Sequence, residues 1–135
     1  MSDHRRFTAL PSTECQALLQ QHTIGRVGWT SSDGPQILPV TYVVRDGAII
    51  FRTSPYGVLA ELRDGVAVAF EIDEFDVATR TGWSVLVQGR ASAAANPDEL
   101  AGRWLEDEPL PWATGVRNLY LVITPDHLSG RALSA

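Results

Sequence analysis

Two Asp-Gly dipeptides, Asp33-Gly34 and Asp46-Gly47, restrict the fold of this chain more than any other feature. Each separates short runs of apolar and β-branched residues, and Asp-Gly in that setting is typical of a tight β-hairpin turn. The runs cover residues 27–30, 37–44 and 48–53. The spacing therefore predicts an antiparallel meander of three strands joined by two tight turns.

The remaining segments predict further strands and a few short helices. Apolar residues at helical spacing predict a helix over residues 11–21 and a shorter one over residues 55–63. Asn96, followed directly by Pro97, predicts the start of a third helix. Further strands are predicted over residues 66–73, 83–93 and 118–125, with an edge strand over residues 128–133. The first of these is apolar almost throughout, which predicts burial on both faces. Glu71 interrupts it, and we interpret this side chain as an exposed strand end or a paired carboxylate rather than a catalytic one.

Six to seven strands in hairpin order, with two or three small helices, predict a mainly β fold, a closed or nearly closed antiparallel barrel. The chain has 135 residues, of which 44% are hydrophobic, and this is the size of one domain with its own core. We therefore expect a single domain over residues 1–135, in which residues 1–10 form a flexible arm.

Composition excludes several classes of protein. The net charge is -5, and the 11 basic residues are all arginines spread along the sequence, which argues against non-specific nucleic-acid binding. Cys15 is the single cysteine, so no intramolecular disulfide forms, as expected in a reducing cytoplasm. No apolar run reaches the roughly 20 residues of a membrane span. The three histidines are too far apart to form a recognisable metal site, and no catalytic motif assigns a nucleophile or an acid–base residue.

Two features of the meander predict a binding site. Pro39 lacks an N–H, so its strand lies at an edge or has an interrupted ladder, which leaves backbone groups available to a flat polar ligand. Arg52 is followed by two hydroxyl residues, Thr53 and Ser54, and then by the predicted short helix. A guanidinium, hydroxyls and a helix N-terminus predict a phosphate site, although a surface arginine at a strand end is an equally simple interpretation.

Three stretches, taken in order, carry a resemblance to a known family: GRVGWTSSDGPQILPVTYVVRDGAIIFRTS, LAELRDGVAVAFEID and TGWSVLVQGRA. They resemble the pyridoxamine 5'-phosphate oxidase-like family over residues 11–133. These are flavin-binding split-barrel proteins, and nitroimidazole-resistance reductases are among the relatives. The resemblance implies an FMN-binding split β-barrel that forms a homodimer, with the flavins in the two grooves between the subunits.

The resemblance also assigns candidate residues to the flavin. One set matches the strand that lies along the isoalloxazine ring: Pro39, Val40, Thr41 and Tyr42. A second set matches the phosphate site and the short helix after it: Arg52, Thr53, Ser54, Val58 and Leu59. A third set matches a segment contributed by the partner subunit: Trp83, Ser84 and Val85. Tyr42 and Trp83 have an alternative role as ordinary barrel or core aromatics.

Val58 is the clearest departure from the family, which usually has a lysine or arginine near this position. One charge directed at the phosphate is therefore missing, and either Arg52 and the helix suffice, or FMN binds less tightly, or the pocket holds another molecule. Trp112 lies on a proline-rich loop, where an aromatic side chain caps a pocket or fastens the loop to the barrel.

The leading functional hypothesis is an FMN-dependent oxidoreductase that acts on a small molecule. In such an enzyme the flavin carries the electron chemistry, while the protein supplies binding and orientation. A second hypothesis places a deazaflavin or haem in the same groove. A third is a non-catalytic module that binds or senses flavin.

Overall fold

The computed structural model of the protein describes residues 6–94 and 119–134. Within these ranges the chain forms eight strands, one α-helix and one short 3-10 helix. In chain order they are β1 (Arg6–Ala9), α1 (Ser12–Gln21), β2 (Ile24–Ser31), β3 (Gly34–Thr41), β4 (Val43–Arg45), β5 (Ala48–Thr53), the 3-10 helix (Val58–Arg63), β6 (Asp64–Asp76), β7 (Thr81–Ala93) and β8 (Leu119–Ser134).

All of these strands belong to one antiparallel sheet. Seven follow the path β3-β2-β6-β7-β8-β5-β4, and β1 pairs with β8 beside that path. The two ends of the path, β3 and β4, are consecutive in the chain, so the sheet must curl until its ends meet. This is the split β-barrel that the sequence predicts, with most residues in strands and few in helices.

The predicted second strand of the meander is two strands, separated at Tyr42. The Tyr42 ring is 1% exposed, its hydroxyl donates to the Leu19 carbonyl at 2.8 Å, and its N–H donates to the Thr23 carbonyl at 2.9 Å. The N–H bond continues the pairing of β3 with β2 by one residue, the hydroxyl bond ties the ring to α1, and beyond Tyr42 the chain pairs with β5 instead. β3 therefore pairs with β2 and β4 pairs with β5, so Pro39 lies on an end strand of the sheet path, opposite Arg26. The simple three-stranded meander was wrong, while the edge position of Pro39 is confirmed.

β8 has three pairing partners, more than any other described strand. It pairs with β7 along most of its length, with β5 near its start and with β1 near its end. The run at residues 128–133, predicted as a separate edge strand, is therefore the second half of β8, paired with β7 throughout and with β1 from Arg131 onward. Residues 6–9 of the expected arm form β1, which pairs with β8 in the register Arg6↔Ser134.

The core lies between the inner face of the sheet and α1. It contains Cys15 and Leu19 from the helix, together with inward-facing residues of the strands such as Phe51, Phe70 and Val85. In β6 burial alternates, since Val68, Phe70 and Ile72 are buried while Ala67 is exposed. Burial of β6 on both faces was therefore a wrong prediction for this chain alone.

Two of the close glycine contacts in the structure show how tightly the barrel wall is packed. A Cβ on Gly25 would lie 2.3 Å from Cζ of Phe70, and one on Gly89 would lie 2.1 Å from the Thr124 carbonyl oxygen.

The predicted helix starting at Asn96 and the candidate residue Trp112 lie outside the described residues. Among the residues that are described, no helix has the length and apolar character that a membrane crossing requires.

Candidate functional site

The segment that joins the end of β5 to the 3-10 helix forms a hydrogen-bonded turn. We call residues 52–57 the anchor turn. Its centre is the Pro55–Tyr56 peptide, whose N–H donates to Ser54 Oγ at 3.2 Å. The Gly57 N–H donates to the Ser54 carbonyl, also at 3.2 Å. The turn is therefore held by its own backbone and by the Ser54 hydroxyl, as in other serine-initiated turns.

The three predicted phosphate residues do not share one face. Because side chains alternate along a strand, Arg52 and Thr53 point to opposite faces of β5. Thr53 is 3% exposed, so its hydroxyl lies in the barrel wall and its side chain is not presented with that of Arg52. Arg52 is half-buried and pairs in register with Tyr120. The predicted row of two hydroxyls is thus reduced to Ser54.

The short helix after the anchor turn is a 3-10 helix of six residues, so it offers a weaker dipole than the predicted α-helical turn. Val58, its first residue, is 51% exposed, while Ala60 and Leu62 are the buried residues. Leu59 is half-buried and packs against the core. Glu61 accepts a hydrogen bond from Nε1 of Trp29, which fixes the helix to β2.

Arg63, which the sequence pattern did not single out, bonds back to the anchor turn. Its Nη2 donates to the Pro55 carbonyl at 2.8 Å, and its Nε donates to the Ala60 carbonyl at 2.9 Å. The guanidinium therefore bridges the end of the 3-10 helix and the middle of the turn. Only the reversal of the chain through the helix brings these groups together, so no local motif could have revealed them.

The predicted ring strand, residues 39–42, lies where the sheet closes on itself. Pro39 is exposed, whereas Val40 is 9% exposed and Tyr42 is a core residue with its hydroxyl already bonded. β4 pairs with β5 in the register Val43↔Ile50, and β3 also contacts β5 directly. The structure thus brings the ring strand and the anchor turn together.

The third predicted set, residues 83–85, lies far from the anchor turn within this chain. Trp83 pairs with Ala132, at the far end of β8 from Tyr120, the partner of Arg52. At about 3.3 Å per residue the two positions are roughly 40 Å apart along the strand. Val85 is buried in the core, and Ser84 lines a separate cavity of about 330 Å³ with Glu71 and Arg131.

Trp83 also contacts the end of α1. Its ring lies edge-on to that of His22, with centroids 4.9 Å apart. Nδ1 of His22 is 2.8 Å from the Leu18 carbonyl, and its Nε2 is 3.5 Å from Oε2 of Glu74. This histidine therefore joins the helix to the hairpin of β6 and β7, which gives Trp83 a structural role in this chain.

Charged groups gather on the outer face of β2 and β6. Nη1 of Arg26 lies 3.5 Å from a carboxylate oxygen of Glu71 and 3.5 Å from one of Asp73. The pKa of Glu71 is raised by burial and by the hydrogen bond with Asp73, with Arg26 acting in the opposite direction. The interpretation of Glu71 as a paired carboxylate is confirmed. In residues 6–94 and 119–134 no group of three or more potential ligand residues is placed to hold a metal ion.

Comparison with known proteins places this architecture in a family. The family model described as pyridoxamine 5'-phosphate oxidase matches residues 11–132. The chain belongs to the pyridoxamine 5'-phosphate oxidase-like family. The uncharacterized protein Rv0080 of Mycobacterium tuberculosis is 34% identical over 133 residues, which cover 93% of this chain and 85% of that protein.

Solved structures of family members agree with the fold. The FAD binding protein from Mycobacterium smegmatis is 30% identical and has a TM-score of 0.74, covering 93% of this chain and 97% of its own. A candidate pyridoxamine 5'-phosphate oxidase from Corynebacterium glutamicum is 31% identical and has a TM-score of 0.77, covering 98% and 95% of the two chains. These likenesses extend over nearly the whole pyridoxamine 5'-phosphate oxidase-like chain.

Proposed function

We propose that this protein is a flavin-dependent oxidoreductase that binds FMN at the anchor turn. The observation that carries the proposal is the match of residues 11–132 to the pyridoxamine 5'-phosphate oxidase model. A structural neighbour at 30% identity is a FAD binding protein, which supports a flavin in particular. A bound flavin supplies hydride or electron transfer to a small-molecule substrate, and the chain supplies its binding and orientation.

The groups of the anchor turn fit a phosphate ester. Arg52 stands at the end of β5, and Ser54 has a hydroxyl that accepts from the Tyr56 N–H and keeps its own proton to donate. Guanidinium groups and hydroxyls are the usual partners of phosphate. FMN and FAD both carry a phosphate on the ribityl chain, so the same anchor serves both. Thr41, at the end of β3, adds a hydroxyl on the side of the ring strand.

We further propose that the flavin site is completed by a second copy of the chain. The family segment at Trp83 lies roughly 40 Å along β8 from the level of Arg52, so one chain cannot place both against one flavin. The outer face of the sheet offers a strip for a second copy, where Ile37, Gly28 and Ala69 are aligned in register and Ile37 is 67% exposed. A monomeric mass by light scattering at micromolar concentration contradicts this arrangement.

The decisive test compares FMN with riboflavin, which lacks the phosphate. Removing a charge-assisted partner costs about 1.5–3 kcal/mol, so Arg52→Ala is expected to weaken FMN at least tenfold and riboflavin very little. Arg45→Ala is the matched control, since Arg45 lies at the other end of the same hairpin and bonds the Val44 carbonyl. Both affinities are measured from flavin fluorescence. An unchanged ratio of the two affinities in Arg52→Ala excludes Arg52 as the anchor.

The absorbance spectrum of the purified protein separates the remaining hypotheses, because flavin, deazaflavin and haem absorb differently. Reduction of the bound flavin by NADH or NADPH, followed by reoxidation with an electron acceptor, supports an oxidoreductase. A flavin that stays oxidised under every reductant tried favours the non-catalytic flavin-binding module.

A further inference from the structure

A second positive charge, that of Arg63, is bonded to the anchor turn. Val58, the residue at the start of the 3-10 helix, is apolar and 51% exposed, so it contributes no charge. The helix has only six residues and adds little dipole. Arg63 lies at the opposite end of this helix, and its side chain reaches back to the Pro55 carbonyl of the anchor turn.

The contacts of Arg63 fix where that charge lies. Nη2 donates to the Pro55 carbonyl at 2.8 Å, while the N–H of the same peptide donates to Ser54 Oγ at 3.2 Å. Arg63 and Ser54 therefore hold the two ends of a single peptide unit. From backbone dimensions, the guanidinium nitrogen lies no more than about 9 Å from the Ser54 hydroxyl. This distance is close to the Debye length of about 8 Å at physiological salt, so salt only partly screens the charge of Arg63 at the Ser54 hydroxyl.

The surroundings of Arg63 leave its charge effective. Its two bonds to carbonyls use two of the five N–H groups of the guanidinium, and neither acceptor is an anion that would neutralise it. Glu61, the carboxylate within the same helix, is bonded to Trp29 of β2. The side chain of Arg63 is exposed, so an anion can approach it without displacing the core.

We propose that Arg63 is the second phosphate-directed cation of this protein, acting from the far end of the helix in place of a basic residue at position 58. It orients the Pro55–Tyr56 peptide under Ser54 and attracts the phosphate without direct contact. This inference rests on the proposed flavin site, and it assigns to Arg63 a positioning and specificity role rather than a catalytic one.

The test uses variants that separate the charge of Arg63 from its bonds. Arg63→Gln keeps an N–H donor for the carbonyls but removes the charge, whereas Arg63→Lys keeps the charge. We expect Arg63→Gln to weaken FMN roughly threefold to tenfold with riboflavin changed less than twofold, because only the phosphate responds to the charge. Arg63→Lys is expected to retain most of the FMN affinity. Arg45→Gln, at the far end of the hairpin, is the matched control and should change neither flavin.

A rescue experiment guards against a merely structural effect. Adding Val58→Lys to Arg63→Gln should restore the preference for FMN over riboflavin, since it returns a cation to the other end of the same helix. The inference is overturned if Arg63→Gln weakens both flavins equally, or if the FMN to riboflavin ratio is unchanged. If the unmodified protein binds neither flavin, the proposed function itself fails, and this inference fails with it.

Discussion

Replacing Gly25 by alanine tests whether the barrel wall is as tightly packed as its geometry indicates. The new Cβ would lie 2.3 Å from Cζ of Phe70, whereas carbon atoms in contact are normally at least about 3.5 Å apart. The Phe70 ring must therefore move by about 1 Å or more. It is fully buried and packs edge-on against the Tyr42 ring at 4.9 Å, so it cannot move without displacing other core residues.

Overpacking of this kind costs about 1–3 kcal/mol. For a domain of this length we expect the melting temperature of Gly25→Ala to fall by roughly 4–12 °C. Gly57→Ala is the matched control, because its Cβ would meet nothing closer than 3.7 Å. Both variants are compared by thermal and urea unfolding at equal protein concentration, since a dimer's stability depends on concentration. Equal melting temperatures for the two variants would refute the packing argument.

Three further predictions concern buried or paired side chains. Tyr42→Phe removes the bond to the Leu19 carbonyl and should cost about 1 kcal/mol in urea unfolding with no change in FMN affinity; a weaker FMN complex at unchanged stability would make Tyr42 a ligand residue instead. Burial and Asp73 raise the pKa of Glu71, so folding favours its protonated form. The stability that the protonated carboxyl contributes is therefore present at low pH and is lost as pH rises through the folded pKa. Glu71→Gln should therefore be more stable than the parent at pH 7, by less than about 1 kcal/mol because the side chain is 37% exposed, and the gain should vanish near pH 4; a constant gain at both values contradicts this. Burial raises the pKa of the Cys15 thiol, so it should react with a disulfide reagent only on unfolding, and rapid labelling of the native protein would show that α1 opens.

Features that depend on neighbouring residues were predictable from the sequence. The second Asp-Gly turn has both residues at positive φ, 52° for Asp46 and 79° for Gly47, as the tight hairpin turn requires. The bounds of β5 and nearly those of α1 follow from turn signals and periodicity. The split barrel followed from the order of several motifs, none of which is specific alone.

Features set by distant residues were not predictable in the same way. At Tyr42 the pairing partner changes from β2 to β5, and a run of alternating residues predicts one strand whichever strands lie beside it. In the candidate site, side-chain alternation along β5 already predicts that Arg52 and Thr53 lie on opposite faces. The prediction of a joint phosphate site relied on the residue types alone and neglected that alternation. The bond from Arg63 to the Pro55 carbonyl could not be predicted without knowing the path of the chain through the 3-10 helix.

The position of β8 decides when this protein can fold. β8 is the last described strand in the sequence, yet it pairs with β7 on one edge and with β5 and β1 on the other. During synthesis, the edges of β5 and β7 therefore stay open until β8 has left the ribosome, and open edges invite wrong pairing. Pairing across such long sequence separations also slows folding. A chain cut before Leu119 would be left with two separately paired pieces of sheet, β3-β2-β6-β7 and β5-β4, and no strand pairing between them.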